Sequence, residues 1–511
     1  LIKNKHILKC ALFTGAFFLS GILLSQKNLL QLLPGSEKMY FDKKTGLHRL
    51  VGSVSFNYQG NTMFCDSAHY QEKNKIVRAY GNVQIRKDDV NLFCDSLYYD
   101  GSAKYAKLWG HVRVRDSEYK ITTDTLDYDA KNGKAIYRRF GTIESIISDE
   151  KITSRTGYFY PNKGSFFFSG NVNYKKEKLA ITTDTLQFSY EKQTSYFYGP
   201  TKIINDTVTI LCKKGWYNVQ KEEGVLYQKA EIIQKNSLIR GDTLYYNGQK
   251  QAYEGKGNVF YKDYEQNMVF QGNRAYSSNE KHYAYLTGKA MAFKVKDKDT
   301  VYIHADSLHL YRDTLNKTKE ITGNRNVKIY NNSIQCVADS AFYLPNENLL
   351  YLRSKPIVWA QNTELKGTKM DVFLKDTLVE KILVSGNANA IMEVDSGNYY
   401  NQIAGKDMIA WFENNEVVRT DVQGNAHTIY FPEETTKTDS TFQKKRMGMN
   451  RVVASDLRIY LDSGEVKGIT YFDKPDGVFY PMNQIKQSEQ FINGFSLNPA
   501  LRPKSALDLI K

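Results

Sequence analysis

Proline is scarce, with 10 among 511 residues, which argues against a proline-rich linker and leaves long extended segments uninterrupted. Cysteine is scarcer. The five cysteines form no CxxC pair, so a zinc knuckle and a thioredoxin-like motif are both absent. There are 8 His but no HExxH, and neither GxSxG nor a Walker loop occurs; Gly255-Lys256-Gly257 is only a glycine with a near neighbour. His304 and His309 flank Asp306 at a spacing that fits no metal motif. The expectation is a protein with no catalytic residue, metal or cofactor, and not an enzyme. Long apolar runs are missing after the first 25 residues, so no later segment can cross a membrane as a helix.

What is plentiful is aromatic. The 37 Tyr and 26 Phe favour strands, and 41% hydrophobic against 24% charged residues is ordinary for a folded chain. The formal charge of +15 suits anionic partners, but the cations are scattered and the clusters Lys175-Lys176-Glu177-Lys178 and Lys444-Lys445-Arg446 are short. No nucleic-acid partner is expected. At the start, Lys3, Lys5 and Lys9 precede an apolar run from Ala11 to Leu24 that ends at the small residue Ser25. This reads as a secretory signal over residues 1–25; a retained anchor is the alternative, although the run is shorter than the roughly 20 residues a spanning helix needs.

An internal repeat organises the rest. A phrase built on Asp-Ser or Asp-Thr recurs as CDSAHY (Cys65 to Tyr70), CDSLYY (Cys94 to Tyr99), TDTLDY (Thr123 to Tyr128), TDTLQF (Thr183 to Phe188), GDTLYY (Gly241 to Tyr246), ADSLHL (Ala305 to Leu310) and ADSAFY (Ala338 to Tyr343). Between these stand Gly81-Asn82-Val83, Gly110-His111-Val112, Gly170-Asn171-Val172, Gly257-Asn258-Val259 and Gly386-Asn387-Ala388. Asp95, Asp124 and Asp184 each follow Gly81, Gly110 and Gly170 by fourteen residues. Fainter copies lie at Ser154-Arg155-Thr156, Cys212-Lys213-Lys214, Gly272-Asn273-Arg274, Gly367-Thr368-Lys369, Gly405-Lys406-Asp407 and Ser455-Asp456-Leu457. The total is about thirteen units between residue 52 and roughly residue 470.

Polar and apolar residues alternate over Val90 to Tyr99 and Ala103 to Val114, with turn residues between, so each unit reads as two strands and two tight turns. Strict alternation puts Phe93, Asp95, Leu97 and Tyr99 on one face and Cys94, Ser96 and Tyr98 on the other. An Asp among apolar neighbours is awkward. Either a bulge re-aims the chain there, or the carboxylate is hydrogen-bonded at the rim of the face. The residue before each Asp is small, which makes Cys65, Cys94 and Cys212 packing residues in this reading.

These phrases resemble the OstA-like family, which includes the LptA bridge protein and the N-terminal domain of the outer-membrane lipopolysaccharide assembly protein. The resemblance covers about residues 50 to 430, and the closing segments Gly477 to Pro481 and Gly494 to Lys504 look like the tail of long OstA-like proteins. It implies an elongated antiparallel β-jellyroll with an apolar slot that accepts acyl chains, a periplasmic location near the outer membrane, and passage of lipopolysaccharide toward that membrane. The implied partners are lipopolysaccharide, other jellyrolls of the transport bridge and the outer-membrane assembly protein. The slot would be contacted by Phe64, Phe93, Leu97, Tyr99, Leu126, Tyr128, Leu186, Leu244 and Tyr246. The organisation expected is a signal (1–25), a lead-in (26–50), jellyroll repeats (51–430) and a divergent final repeat with tail (431–511). Unpaired edges are expected near Gly52 to Tyr58 and near Arg458 to Asp473, where partner jellyrolls would add strands. An outer-membrane β-barrel and a surface adhesive β-solenoid remain as alternatives.

Overall fold

The computed structural model describes residues 31–510 except 59–60, 88, 130, 161–164, 190, 219, 295–299, 316, 376–377, 415 and 439–440. The expected signal and Cys10 lie outside the described residues. The chain divides into two compact units, Leu1–Gln251 and Ala252–Lys511. Both are antiparallel β-structures in which each long strand pairs with its neighbours in sequence.

The two sequence phrases turn out to be the two sides of one device. In unit 1 the strand Ile76–Lys87 pairs with Val90–Asp100, Tyr80 opposite Ser96 and Val83 opposite Cys94. Gly81 and Asn82 therefore face the single residue Asp95, a β-bulge, and both have left-handed φ, +73° and +48°. Similar register shifts recur at Gly110-His111 and, in unit 2, at Gly257-Asn258 and Gly386-Asn387. The repeat carboxylates hold these bulges. Asn82 Nδ2 donates to Asp66 Oδ2 at 3.0 Å, Asn326 Nδ2 donates to Asp306 Oδ1 at 3.0 Å, and His111 Nδ1 lies 2.7 Å from Asp95 Oδ2. The faint copies do the same through backbone: the Gly386 and Gly424 amides donate to Asp407 and Asp456.

A bulge also resets which side chains point inward. Along Val90–Asp100 the inward residues are Val90, Leu92 and Cys94, then Leu97 after the bulge. Both explanations for the awkward Asp hold: the bulge re-aims the chain, and the carboxylate is hydrogen-bonded to the bulge residues. The bulges line up from strand to strand, so each unit folds along that line into two walls. One may be called the Cys-side wall (residues 90–94 of this strand) and the other the Tyr-side wall (residues 96–100). Leu92 and Val114 of the first wall and Leu97 and Leu108 of the second share one buried cluster. The result is a two-walled β-jellyroll closing on an apolar interior.

Two departures interrupt the pattern. In unit 1 the strands split into Lys134–Tyr137 with Gly141–Ser145, and Lys151–Ser154 with Thr156–Tyr160. In unit 2 they split into Leu349–Arg353 with Ile357–Ala360, and Thr363–Lys366 with Lys369–Lys375. Both splits coincide with faint repeat copies.

The N-terminal edge is not where alternation suggested. Leu47–Tyr58 is covered by Lys38–Asp42 over one part of its length and Gln31–Leu32 over another, and Val54 is fully buried. The lead-in supplies the edge instead, because Met39 and Phe41 are apolar enough to form a short strand. At the other end Gly448–Asp462 is bordered by Glu465–Phe472 and Asp476–Pro481. From Pro481 the chain turns back across unit 2 in short 3₁₀ turns.

Candidate functional site

Each unit encloses an extended apolar interior between its walls, and the repeat dictates its lining. In unit 1, Leu97, Leu126, Tyr128, Leu186 and Leu244 are buried there, and Tyr99 packs against the same cluster while partly exposed. Tyr246 is half-buried at the strand end. Phe64 and Phe93 are corrections. Because they lie before the bulge, they point outward, with Arg86 stacked on Phe64 at 5.7 Å and Arg113 on Phe93 at 5.6 Å. Their inward neighbours are Met63, Cys65, Leu92 and Cys94.

The cysteines are free and buried, and burial pushes the thiols of Cys65, Cys94 and Cys336 up to about 12. They act as small apolar residues where the walls approach. Tyr128 is likewise raised to about 12, first by burial and then by Asp129.

In unit 2 the two walls enclose a cavity of about 80 Å³ lined mainly by apolar side chains, among them Val358, Leu365, Met408, Phe412, Ile459 and Ile469. No candidate from the sequence fell here. Its residues lie beyond the clear repeat phrases, and only the open space between the walls distinguishes them from ordinary core. A space of this size lodges a few methylenes at most, so a longer chain needs the walls to part.

Behind the cavity, on the outside of the same wall, runs the C-terminal tail. Gln402, fully buried, donates through Nε2 to the Gln490 carbonyl at 2.7 Å and accepts from the Ile492 amide at 3.0 Å. Ile492 packs with Ile429, Phe431 and Met449. Glu364 accepts from the Asn498 amide and Nδ2 at 3.0 and 3.1 Å and from Trp359 Nε1 at 2.9 Å. Arg502 Nε donates to Gln335, and Lys328 donates to the Asp508 carbonyl. The wall is thus apolar inside and strapped outside. Sequence reasoning noticed this tail but not its place, since it has no strand or helix period to read.

Residues 34–184 match the family model for OstA-like proteins, and residues 151–252 match the model for the LptA/(LptD N-terminal domain) lipopolysaccharide transport protein. Among solved structures, the chain is similar to LptH of Pseudomonas aeruginosa, described as the LptA-homologous periplasmic component of the lipopolysaccharide transport device. Identity is 16%, over 22% of this chain and 83% of that one, with a TM-score of 0.20. No curated protein matches.

Proposed function

We propose that the chain, whose residues 34–184 match the OstA-like family model and residues 151–252 the LptA/(LptD N-terminal domain) lipopolysaccharide transport model, holds the acyl chains of lipopolysaccharide between its two walls and passes the lipid across the periplasm. The observation that carries this is the buried apolar lining between the walls of each unit, with a cavity already open in unit 2. Each methylene transferred from water into such an interior gains about 0.8 kcal/mol, so a chain of about a dozen carbons gains on the order of 10 kcal/mol before the cost of parting the walls. Binding of this kind needs no catalytic group, metal or cofactor.

The end strands give the reading a direction. Lys38–Asp42 is exposed throughout, Met39, Tyr40 and Phe41 each by more than half, and among the described residues it pairs only with Leu47–Tyr58. Another jellyroll of the transport bridge would add a strand to this edge and extend the apolar interior.

The test is photo-crosslinking to lipopolysaccharide from single positions. A crosslinker at Leu97, inside, should capture the lipid, and one at Phe93, outside on the same strand, should not. Equal capture at both positions contradicts the reading.

A further inference from the structure

Between Asp124 and Asp184 the repeat phrase fades, and the interior of unit 1 changes character over the same stretch. Before it, the buried residues of the Tyr-side wall are small and aliphatic, among them Leu50, Ala68, Ala79, Leu97, Ala106 and Leu108, with Tyr70 and Tyr99 packed against them while partly exposed. Within it the lining becomes Tyr137, Phe159, Phe166 and Phe168, and just past Asp184 it continues as Phe188 and Phe197, all buried. Phe159 meets Phe166 and Phe168 edge to face at centroid distances of 5.8 and 5.9 Å and Tyr137 at 6.0 Å. After it, the cluster around Cys212, Ala230, Ile232 and Leu244 is again small and aliphatic.

The ring of Tyr137 is built in. It is fully buried between Gly141 and Gly157, where a Cβ would come within 2.6 and 2.3 Å of the ring, and its hydroxyl lies 2.6 Å from Ser154 Oγ. The Cys-side wall departs at the same repeat. Glu150 and Lys176, both buried on the interior face, pair at 3.2 Å, and Tyr174 donates to Glu150 at 3.0 Å.

We infer that these residues form a transverse partition, which bars acyl chains from this stretch and divides the interior of unit 1 into two lipid compartments. This rests on the slot reading above. In the flanks an entering alkyl chain exchanges apolar contacts for apolar contacts. At the partition it must displace interlocked rings, break the buried Tyr137–Ser154 hydrogen bond and lie against an ion pair, and it has no polar group to offer in return. The faint Asp phrase at Ser154-Arg155-Thr156, midway between Asp124 and Asp184, is then the sequence trace of the partition.

A diazirine-bearing fatty acid, photolysed with the full chain and mapped by mass spectrometry, tests this. Label is expected on the peptides around Leu97 to Leu108 and around Leu226 to Leu244, and about tenfold less around Phe159 to Phe168. Phe159→Ala, or the milder Phe159→Leu should the first fail to fold, is expected to let label into that stretch. Uniform labelling of the unaltered interior overturns the partition and leaves the slot standing. No interior labelling at all overturns the slot, and the partition with it.

Discussion

Substituting Gly81 by Ala tests the bulge that gives the jellyroll its two walls. Gly81 has φ +73°, and a Cβ there would come to 2.2 Å from Asp66 Oδ2. The left-handed backbone alone costs a residue with a Cβ about 1–2 kcal/mol. The Asp66 carboxylate can swing away, but only by giving up its bond from Asn82, worth about 0.5 kcal/mol at an exposed site, and the Asp66 Cβ, 2.9 Å from the added Cβ, needs a small shift of the strand. Gly81→Ala should therefore destabilise unit 1 by about 2 kcal/mol. For a body of this size that corresponds to a fall in Tm of roughly 4–8 °C, followed by near-ultraviolet circular dichroism. The second arm decides the mechanism. Asp66→Ala in the native background should cost about 0.5 kcal/mol, and in the Gly81→Ala background nothing, because the clash has gone. If the double variant instead loses the sum of the two single effects, Asp66 is not what holds the bulge.

Three further outcomes follow from the same geometry. Burial would raise the Glu364 carboxyl, yet donation from Asn498, Trp359 and Lys366 outweighs it and holds the group below its ordinary 4.5. Its contribution to docking the tail is full above that value and is lost as pH falls through the lower folded value, so the tail should resist limited proteolysis at about pH 7 and be cut more readily at a pH well below the ordinary value. Glu364→Gln should flatten that response; equal cutting of the native tail at both pH values contradicts the strap. The thiols of Cys65, Cys94 and Cys336, raised to about 12, and Cys212, raised to about 11, should escape alkylation in the folded chain and react in denaturant, as counted by mass spectrometry. Charge at the open edge, as Met39→Asp with Phe41→Asp, should leave the Tm of unit 1 within about 1 °C but abolish crosslinking to a partner jellyroll, since both side chains are more than half exposed.

The repeat was legible because its key residues are of rare kinds: a glycine for positive φ, an Asn or His beside it, and an Asp to bond them. The all-β repeat came from that spacing and from the alternation between its phrases, and the jellyroll from the resemblance they carry. The facing of individual side chains came only in part. Alternation carried Leu97 and Tyr99 to the inside but took Phe64 and Phe93 with them, because the Asp strand has one residue opposite each two-residue bulge and its inward spacing from Cys94 to Leu97 is three rather than two. The edge was misplaced because Lys38–Asp42 is five residues long and carries no repeat phrase. The strapped wall of unit 2 has a trace that alternation hides. Ile357-Val358-Trp359-Ala360 is a continuous apolar run, as expected of a strand covered on both faces.

What the folded chain carries is the most direct measurement of all. Prepared without detergent and extracted, it should yield an acylated, phosphorylated glycolipid. Met408→Trp, which fills the cavity beside Phe412 and Ile459, should lower that yield several-fold while far-ultraviolet circular dichroism stays unchanged. A folded chain that carries no lipid, or as much lipid with the cavity filled as without, contradicts lipid binding between the walls.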